Sequence, residues 1–264
     1  MEWPSLLLGT VTLRPYVFVF LAVYLTISIL NMGLVRSILF TLLAYTIAFL
    51  SEYSSTRIGF PYGFYEYIET TRDQELWVSN VPFMDSLSYS FLAYVAYTVA
   101  LFMWSPLKVN RWDIRLIESA RVRKSLRVVF SGAIFFMLMD VIIDPIAFQG
   151  DRWFLGKIYT YKEQGEYFNI PLTNFFGWLL VGTCILYSFT RLDGYLDQKL
   201  PYKEQKFPAQ ALLGPALYFG VLLFNLAVTF YIGEWALGAC GTSLTLMLFW
   251  LLYQKIRYPK KFSL

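Results

Sequence analysis

The chain of 264 residues contains no histidine and only two cysteines. Without His there is no His-based di-iron centre, haem His ligand, Ser-His-Asp triad or His-rich zinc site. A histidine-box membrane desaturase or hydroxylase is excluded by the same absence. Cys184 and Cys240 fall in apolar runs, where they read as buried small hydrophobes rather than as a disulfide framework. Charge is scarce too, at 15% of residues against about 25% in ordinary soluble domains. No linker or low-complexity segment divides the sequence, so residues 1–264 read as a single integral membrane domain. The opening Met1-Glu2-Trp3-Pro4 carries an acid and no basic segment, which predicts no cleaved signal peptide.

What is present is hydrocarbon. The chain is 57% hydrophobic and 20% aromatic, with mean hydropathy +0.50. A hydrocarbon core of about 30 Å takes about 20 apolar residues to cross as a helix. Residues 16–30, 34–50, 82–104, 128–148, 171–190, 211–232 and 235–253 approach or meet that length. The expected fold is therefore all-α, a polytopic transmembrane bundle of about seven spans with the lipid bilayer as its surroundings. The last span holds no Lys, so no retinal Schiff base is expected there.

Basic residues gather in alternate connections. Arg36 sits in the first short turn, and Lys108, Arg111, Arg115, Arg121, Arg123, Lys124 and Arg127 outweigh Asp113 and Glu118 in the third connection. The 191–210 connection and the tail with Lys255, Arg257, Lys260 and Lys261 are basic as well. The segment 52–80, with Glu66, Glu69, Asp73 and Glu75, and the loop 149–170 take the other side. By the positive-inside rule the N-terminus is outside and the C-terminus cytoplasmic. The net charge of +4 is then a topology signal, and no nucleic-acid partner is implied.

Against that background Asp140 and Asp144 stand out, one helical turn apart on one face of the fourth span. An ionised Asp near a span's centre costs about 2.5–3.5 kcal/mol on insertion scales. Glu52 ends the second span, Asp85 begins the third, and Thr173 and Asn174 begin the fifth. The topology brings all of them toward the outer half of the bundle, with Asp140 about 6 Å deeper than Asp144. A buried carboxyl beside a second one holds its proton more tightly and becomes a general acid worth about 10²–10⁴ in rate. Aromatic faces stabilise cations. Together these suit protonation of an alkene to a carbocation.

Plainer readings stand beside these. Asp144 ahead of Pro145 also reads as a helix end at an interface, and Asp85 as an N-terminal helix charge. Glu52 reads as a structural partner of Arg57, Asn174 as a cap in the first turn, and Tyr62, Tyr65 and Tyr67 as interfacial belt residues. The 108–127 run reads as topology alone.

Four motifs resemble one family. They are Glu52-Tyr-Ser-Ser-Thr-Arg-Ile-Gly-Phe-Pro-Tyr-Gly-Phe-Tyr-Glu-Tyr67, Val81-Pro-Phe-Met-Asp85, Met139-Asp-Val-Ile-Ile-Asp-Pro145 and Gly165-Glu-Tyr-Phe-Asn-Ile-Pro-Leu-Thr-Asn-Phe-Phe-Gly-Trp178. In this order, over residues 45–190, they resemble the carotenoid 1,2-hydratase family of integral membrane proteins. That family includes γ-carotene 1′,2′-hydratases and bisanhydrobacterioruberin hydratases. A sequence pI near 8.9 is closer to a bacterial member than to the acidic halophilic ones, which implies a bacterial cytoplasmic membrane. The resemblance implies addition of water across the C1–C2 double bond of an acyclic (ψ) carotenoid end, such as that of lycopene or γ-carotene, with no cofactor and no metal. It implies an acid in Asp140 or Asp144, with the other or Asp85 orienting water. Glu52 and Asn174 complete the pocket, Tyr65 and Tyr67 cover it, and Arg57, Thr173 and Trp178 join the substrate-binding set.

Three other functions fit parts of the pattern. A carotene cyclase shares the protonation step but quenches the cation with a neighbouring alkene. A Mg²⁺-dependent prenyltransferase would use Asp140-x-x-x-Asp144 with Asp193-Gly-Tyr-Leu-Asp197, although the expected topology puts those pairs on opposite membrane faces. A carotenoid-binding protein would need no chemistry from the carboxylates.

Overall fold

The computed structural model describes residues 3–110, 113–117, 119–200, 202 and 205–259. Met1, Glu2, Arg111, Glu118, Lys260 and Lys261, named above, lie outside the described residues. A short helix α1 (Trp3–Leu13) precedes α2 (Pro15–Met32) and α3 (Leu34–Ile58). The segment that follows holds β1 (Tyr65–Tyr67), β2 (Trp77–Val78) and β3 (Val81–Pro82), and leads into α4 (Phe83–Trp104). A hairpin of β4 (Leu107–Asn110) and β5 (Asp113–Leu116) and the single turn α5 (Ala120–Arg123) lead to α6 (Leu126–Phe148). Strand β6 (Tyr159–Tyr161), α7 (Leu172–Leu196), α8 (Leu213–Tyr231) and α9 (Trp235–Arg257) complete the order. Seven of these helices are long and apolar enough to cross a membrane, so the chain is a multi-pass helical bundle.

Helix α4 is the axis of the bundle. Its Ser86, Ser90, Ala93, Ala96 and Ala100 form a stripe of small residues along one face, and the helix is buried nearly all round. Small residues let backbones approach where lipid tails offer no hydrophobic drive between helices. The same device joins α6 and α7: a Cβ at Gly182 would stand 2.7 Å from the Phe136 ring and 3.3 Å from Ala133 Cα. The outer faces carry Leu42, Phe130, Phe176, Leu223, Leu246, Phe249 and Trp250, all exposed, as a bilayer-facing surface requires.

Several expectations change. Cys184 and Cys240 are free and exposed rather than buried; an apolar outer surface accepts a thiol as readily as a core does. Helix α9 runs on to Arg257, so it includes Lys255, whose Nζ reaches Pro259 O at 3.4 Å. Helix α1 lies outside the seven expected spans. It braces the loops instead: Thr10 Oγ1 accepts from Leu76 N at 2.8 Å, and a Cβ on Gly9 would collide with Gln74 O. The buried Arg14, between α1 and α2, donates to Leu155 O and to Glu75 Oε1. The 108–127 connection is a hairpin and a helical turn, and its Arg123 does more than mark topology. Arg123 Nε and Arg36 Nε hold the two oxygens of Asp193 at 3.1 and 2.6 Å. Both guanidinium groups lie over the Tyr202 ring, at 3.8 and 4.2 Å.

Candidate active site

The other end of the bundle holds the carboxylates. Helix α6 ends there with Pro145 inside its last turn, and its final carbonyls need outside donors. Gln149 Nε2 reaches Pro145 O at 3.1 Å, Trp153 Nε1 reaches Ile146 O at 3.0 Å and the Tyr159 hydroxyl reaches Asp144 O at 3.3 Å. The loop after α6 is thereby folded back over the helix end. That return lets β6 pair antiparallel with β1, with Tyr65 opposite Tyr161 and Tyr67 opposite Tyr159. Alternation along the strands turns Tyr65 and Tyr67 inward and Glu66 outward. Strand pairing satisfies the backbone polar groups of this segment, which closes the top of the cavity without burying bare amides.

Two carboxyl pairs meet under this cover. Asn174 Nδ2 donates to Asp140 Oδ2 at 2.7 Å and to Asp144 Oδ2 at 2.9 Å. A side-chain amide has two N–H donors, one for each carboxylate. Asp144 also accepts from Tyr161 at 3.1 Å and, through Oδ1, from Tyr159. Asp140 is fully buried, and its Oδ1 has no hydrogen-bond partner. In the second pair Tyr67 lies between the acids, its hydroxyl 2.6 Å from Asp85 Oδ2 and 3.1 Å from Glu52 Oε1. Ser86 Oγ donates to Glu52 Oε2. Burial pushes the Tyr65, Tyr67, Tyr159 and Tyr161 phenols above their ordinary range. The carboxylates of Glu52, Asp85 and Asp144 push them further, so these phenols stay O–H donors.

The four acids, Asn174, Tyr65, Tyr67, Tyr159 and Tyr161 line one cavity of about 940 Å³, its mouth included. Its walls are aromatic and aliphatic. Trp178 stacks on Tyr89 at 4.5 Å between ring centres and 13° between planes, and Tyr16, Phe20, Phe91, Ile143 and Val221 continue the lining. Behind that lining, Tyr16 stacks at 5.4 Å on the half-buried Phe224.

The expected residues divide on this geometry. Glu52, Tyr65, Tyr67, Asp85, Asp140, Asp144, Asn174 and Trp178 come together. Thr173 does not line the cavity; its hydroxyl donates to Tyr62 O at 3.3 Å. Arg57 is outside as well, stacked over Tyr53 and donating to Asn80 Oδ1 at 2.8 Å. It is not the partner of Glu52. Asn174 caps no helix with its side chain, and Tyr62, Tyr65 and Tyr67 are buried rather than a surface belt. Asp85 does stand in the first turn of α4, so its helix-end position and its place in the cavity hold together. Tyr159, Tyr161, Tyr89 and Ser86 were not expected from the sequence; Tyr-x-Tyr at 159–161, matching Tyr-x-Tyr at 65–67, is the one local signal for the first two. Asp193 lies at the far end of α7 and is taken up by Arg36 and Arg123, so Asp193 and Asp197 form no second acidic pair beside Asp140 and Asp144.

The close fit has a testable edge. A Cβ on Gly177 would stand 2.4 Å from Tyr62 Cδ1 and 3.0 Å from the Pro61 backbone. Gly177→Ala is expected to cost about 1–3 kcal/mol, as overpacking does, and to lower activity as Tyr62 shifts into the cavity. Thermal unfolding in detergent checks the first part; full stability with full activity would contradict the packing described.

Among comparisons with known proteins, a family model described as carotenoid biosynthesis protein matches residues 6–248. No curated protein and no solved structure matches the chain.

Proposed function

The chain belongs to the carotenoid biosynthesis protein family, and from that premise we propose that it hydrates the terminal C1–C2 double bond of an acyclic carotenoid end. The observation that carries the reading is the Asp140–Asn174–Asp144 cluster in the lining of an aromatic cavity. An isolated alkene is a weak base, and its protonation needs a carboxyl held away from water. The mechanism requires one acid of the cluster to carry a proton at the start. That proton goes to C2, the π electrons form the new C–H bond, and C1 becomes a tertiary cation. Faces such as Trp178 and Tyr89 supply the electron density that stabilises it. A water attacks C1 and gives up a proton to a carboxylate, leaving a tertiary alcohol. Asn174 and the tyrosines hold the acids in place without taking part in bond making. On the orientation read from the basic residues, the cavity faces the outer leaflet.

The test is pigment analysis, by chromatography with mass detection, of a host that accumulates lycopene or γ-carotene and expresses this chain. Hydration predicts a product heavier by one or two waters, absent with Asp140→Asn. A product isomeric with the substrate would replace this reading with cyclisation. Unaltered pigment, with acyclic substrates of both kinds present and the protein in the membrane, would replace it with binding alone.

A further inference from the structure

The two carboxyl pairs in the cavity are built alike, and in each the members are not equivalent. Each has one acid with both oxygens bonded. Asp144 accepts from Asn174, Tyr159 and Tyr161, and Glu52 accepts from Ser86 and lies against Tyr67. Each also has one acid with an oxygen left over. Asp140 uses only Oδ2, toward Asn174. Asp85 uses only Oδ2, toward Tyr67, among the described residues.

The two leftover oxygens differ in their surroundings. Asp140 lines the cavity and is fully buried, and its Oδ1 has no hydrogen-bond partner. Leaving a buried acceptor unmet costs about 1–3 kcal/mol, and a proton on that oxygen would have no better base to go to than a substrate carbon. A dry acid oxygen is what protonation of an alkene needs. Asp85 lines the same cavity but is only half-buried, so its carboxylate is the more open of the two to water. A wet carboxylate oxygen is what activation of water needs.

We infer that Asp140 is the proton donor and Asp85 the base, with Asp144 and Glu52 as positioning residues. This rests on the hydration reading and divides its labour between the two pairs. The Asp140 O–H bond breaks as C2–H forms. The water O–C1 bond forms as one water O–H breaks, and that proton goes to Asp85. The cycle closes when the proton returns to Asp140 across the cavity after product leaves.

The division separates two events that heavy water resolves. In D₂O the first step places deuterium on C2. If water attack then fails, the Asp140 carboxylate takes a proton back from C2 and the C–H electrons re-form the double bond, so part of the recovered substrate carries deuterium at C2. Purified protein with an acyclic carotenoid in D₂O is therefore compared for the wild type, Asp140→Asn, Asp85→Asn and Asp85→Glu, each first shown to be monodisperse and helical. Asp85→Asn is expected to lose hydration by about 100-fold or more while recovered substrate still gains deuterium. Asp140→Asn is expected to lose both. Asp85→Glu keeps a carboxylate in place, should Asn not be tolerated, and is expected to restore part of the hydration with deuterium uptake unchanged. Deuterium uptake by Asp140→Asn, or none by a folded Asp85 variant, overturns the assignment while hydration by the wild type stands. A wild type that hydrates no acyclic carotenoid overturns the hydration reading and this assignment with it.

Discussion

Asn174→Leu is expected to abolish hydration and to weaken the protein at once. The isobutyl group keeps the branched shape of the amide, is somewhat larger, and removes both N–H donors. Asp140 then has no hydrogen bond left, because Asn174 Nδ2 is its one partner among the described residues. Asp144 keeps Tyr159 and Tyr161. A hydrogen bond to a neutral acid is worth about 0.5–1.5 kcal/mol and one to a carboxylate about 1.5–3 kcal/mol, and two bonds are lost. The acids also lose the bracket that fixes their relative position, and misplacement of about 1 Å is enough to cost 100-fold in rate. Turnover and the thermal midpoint should therefore fall together, turnover by at least about 100-fold. Asn174→Ser, with one hydroxyl, should recover part of the stability and little of the rate. An Asn174→Leu protein that hydrates normally would remove the cluster from the chemistry.

Asp193→Ala should give a large loss of stability with no change in chemistry per folded molecule. Arg36 and Arg123 are both nearly fully buried and both depend on Asp193. Asp197 helps, at 2.7 Å from Arg123 Nη2, but is only 3.6 Å from Arg36. Removing one partner of a buried ion pair costs about 3–5 kcal/mol because the remaining charge is uncompensated. Here one carboxylate serves two such charges. The half-exposed Asp113–Arg115 pair is the control, since surface pairs are worth about 0–1 kcal/mol. The yield of monodisperse protein and its midpoint in detergent should drop sharply for Asp193→Ala and hardly at all for Asp113→Ala. Equal effects would contradict the role assigned to the Arg36–Asp193–Arg123 group.

The spans were legible because bilayer thickness imposes a length and because backbone polar groups in lipid must bond within the segment. The acids were legible because Asp140 and Asp144 are costly in such a run, and their levels follow from 1.5 Å of rise per residue. Arg57 shows where that logic stops. Five residues along a helix from Glu52, it falls on another face, since only positions three and four apart are neighbours. Cys184 and Cys240 show a second limit. Apolarity marks a residue as out of water, and in a bilayer both the core and the outer surface answer to that. Tyr159 and Tyr161 show a third, because they reach Asp144 only through the pairing of β6 with β1, and strand pairing between distant loops has no local signature beyond alternation.

That pairing also separates what holds the cover in place from what the cover presents. Strands β1 and β6 are joined by main-chain bonds, and the flanking contacts, Ile68 N to Ile158 O at 2.7 Å and Lys162 N to Phe64 O at 3.1 Å, are main-chain as well. None of them depends on which side chains the strands carry. Tyr67, Tyr159 and Tyr161 each hold an acid, but the Tyr65 hydroxyl meets only that of Tyr67, at 3.5 Å, so trimming Tyr65 would enlarge the chamber without unfastening its cover. Tyr65 is the position where the chamber can change size with the Asn174–Asp140 and Tyr67–Asp85 contacts intact.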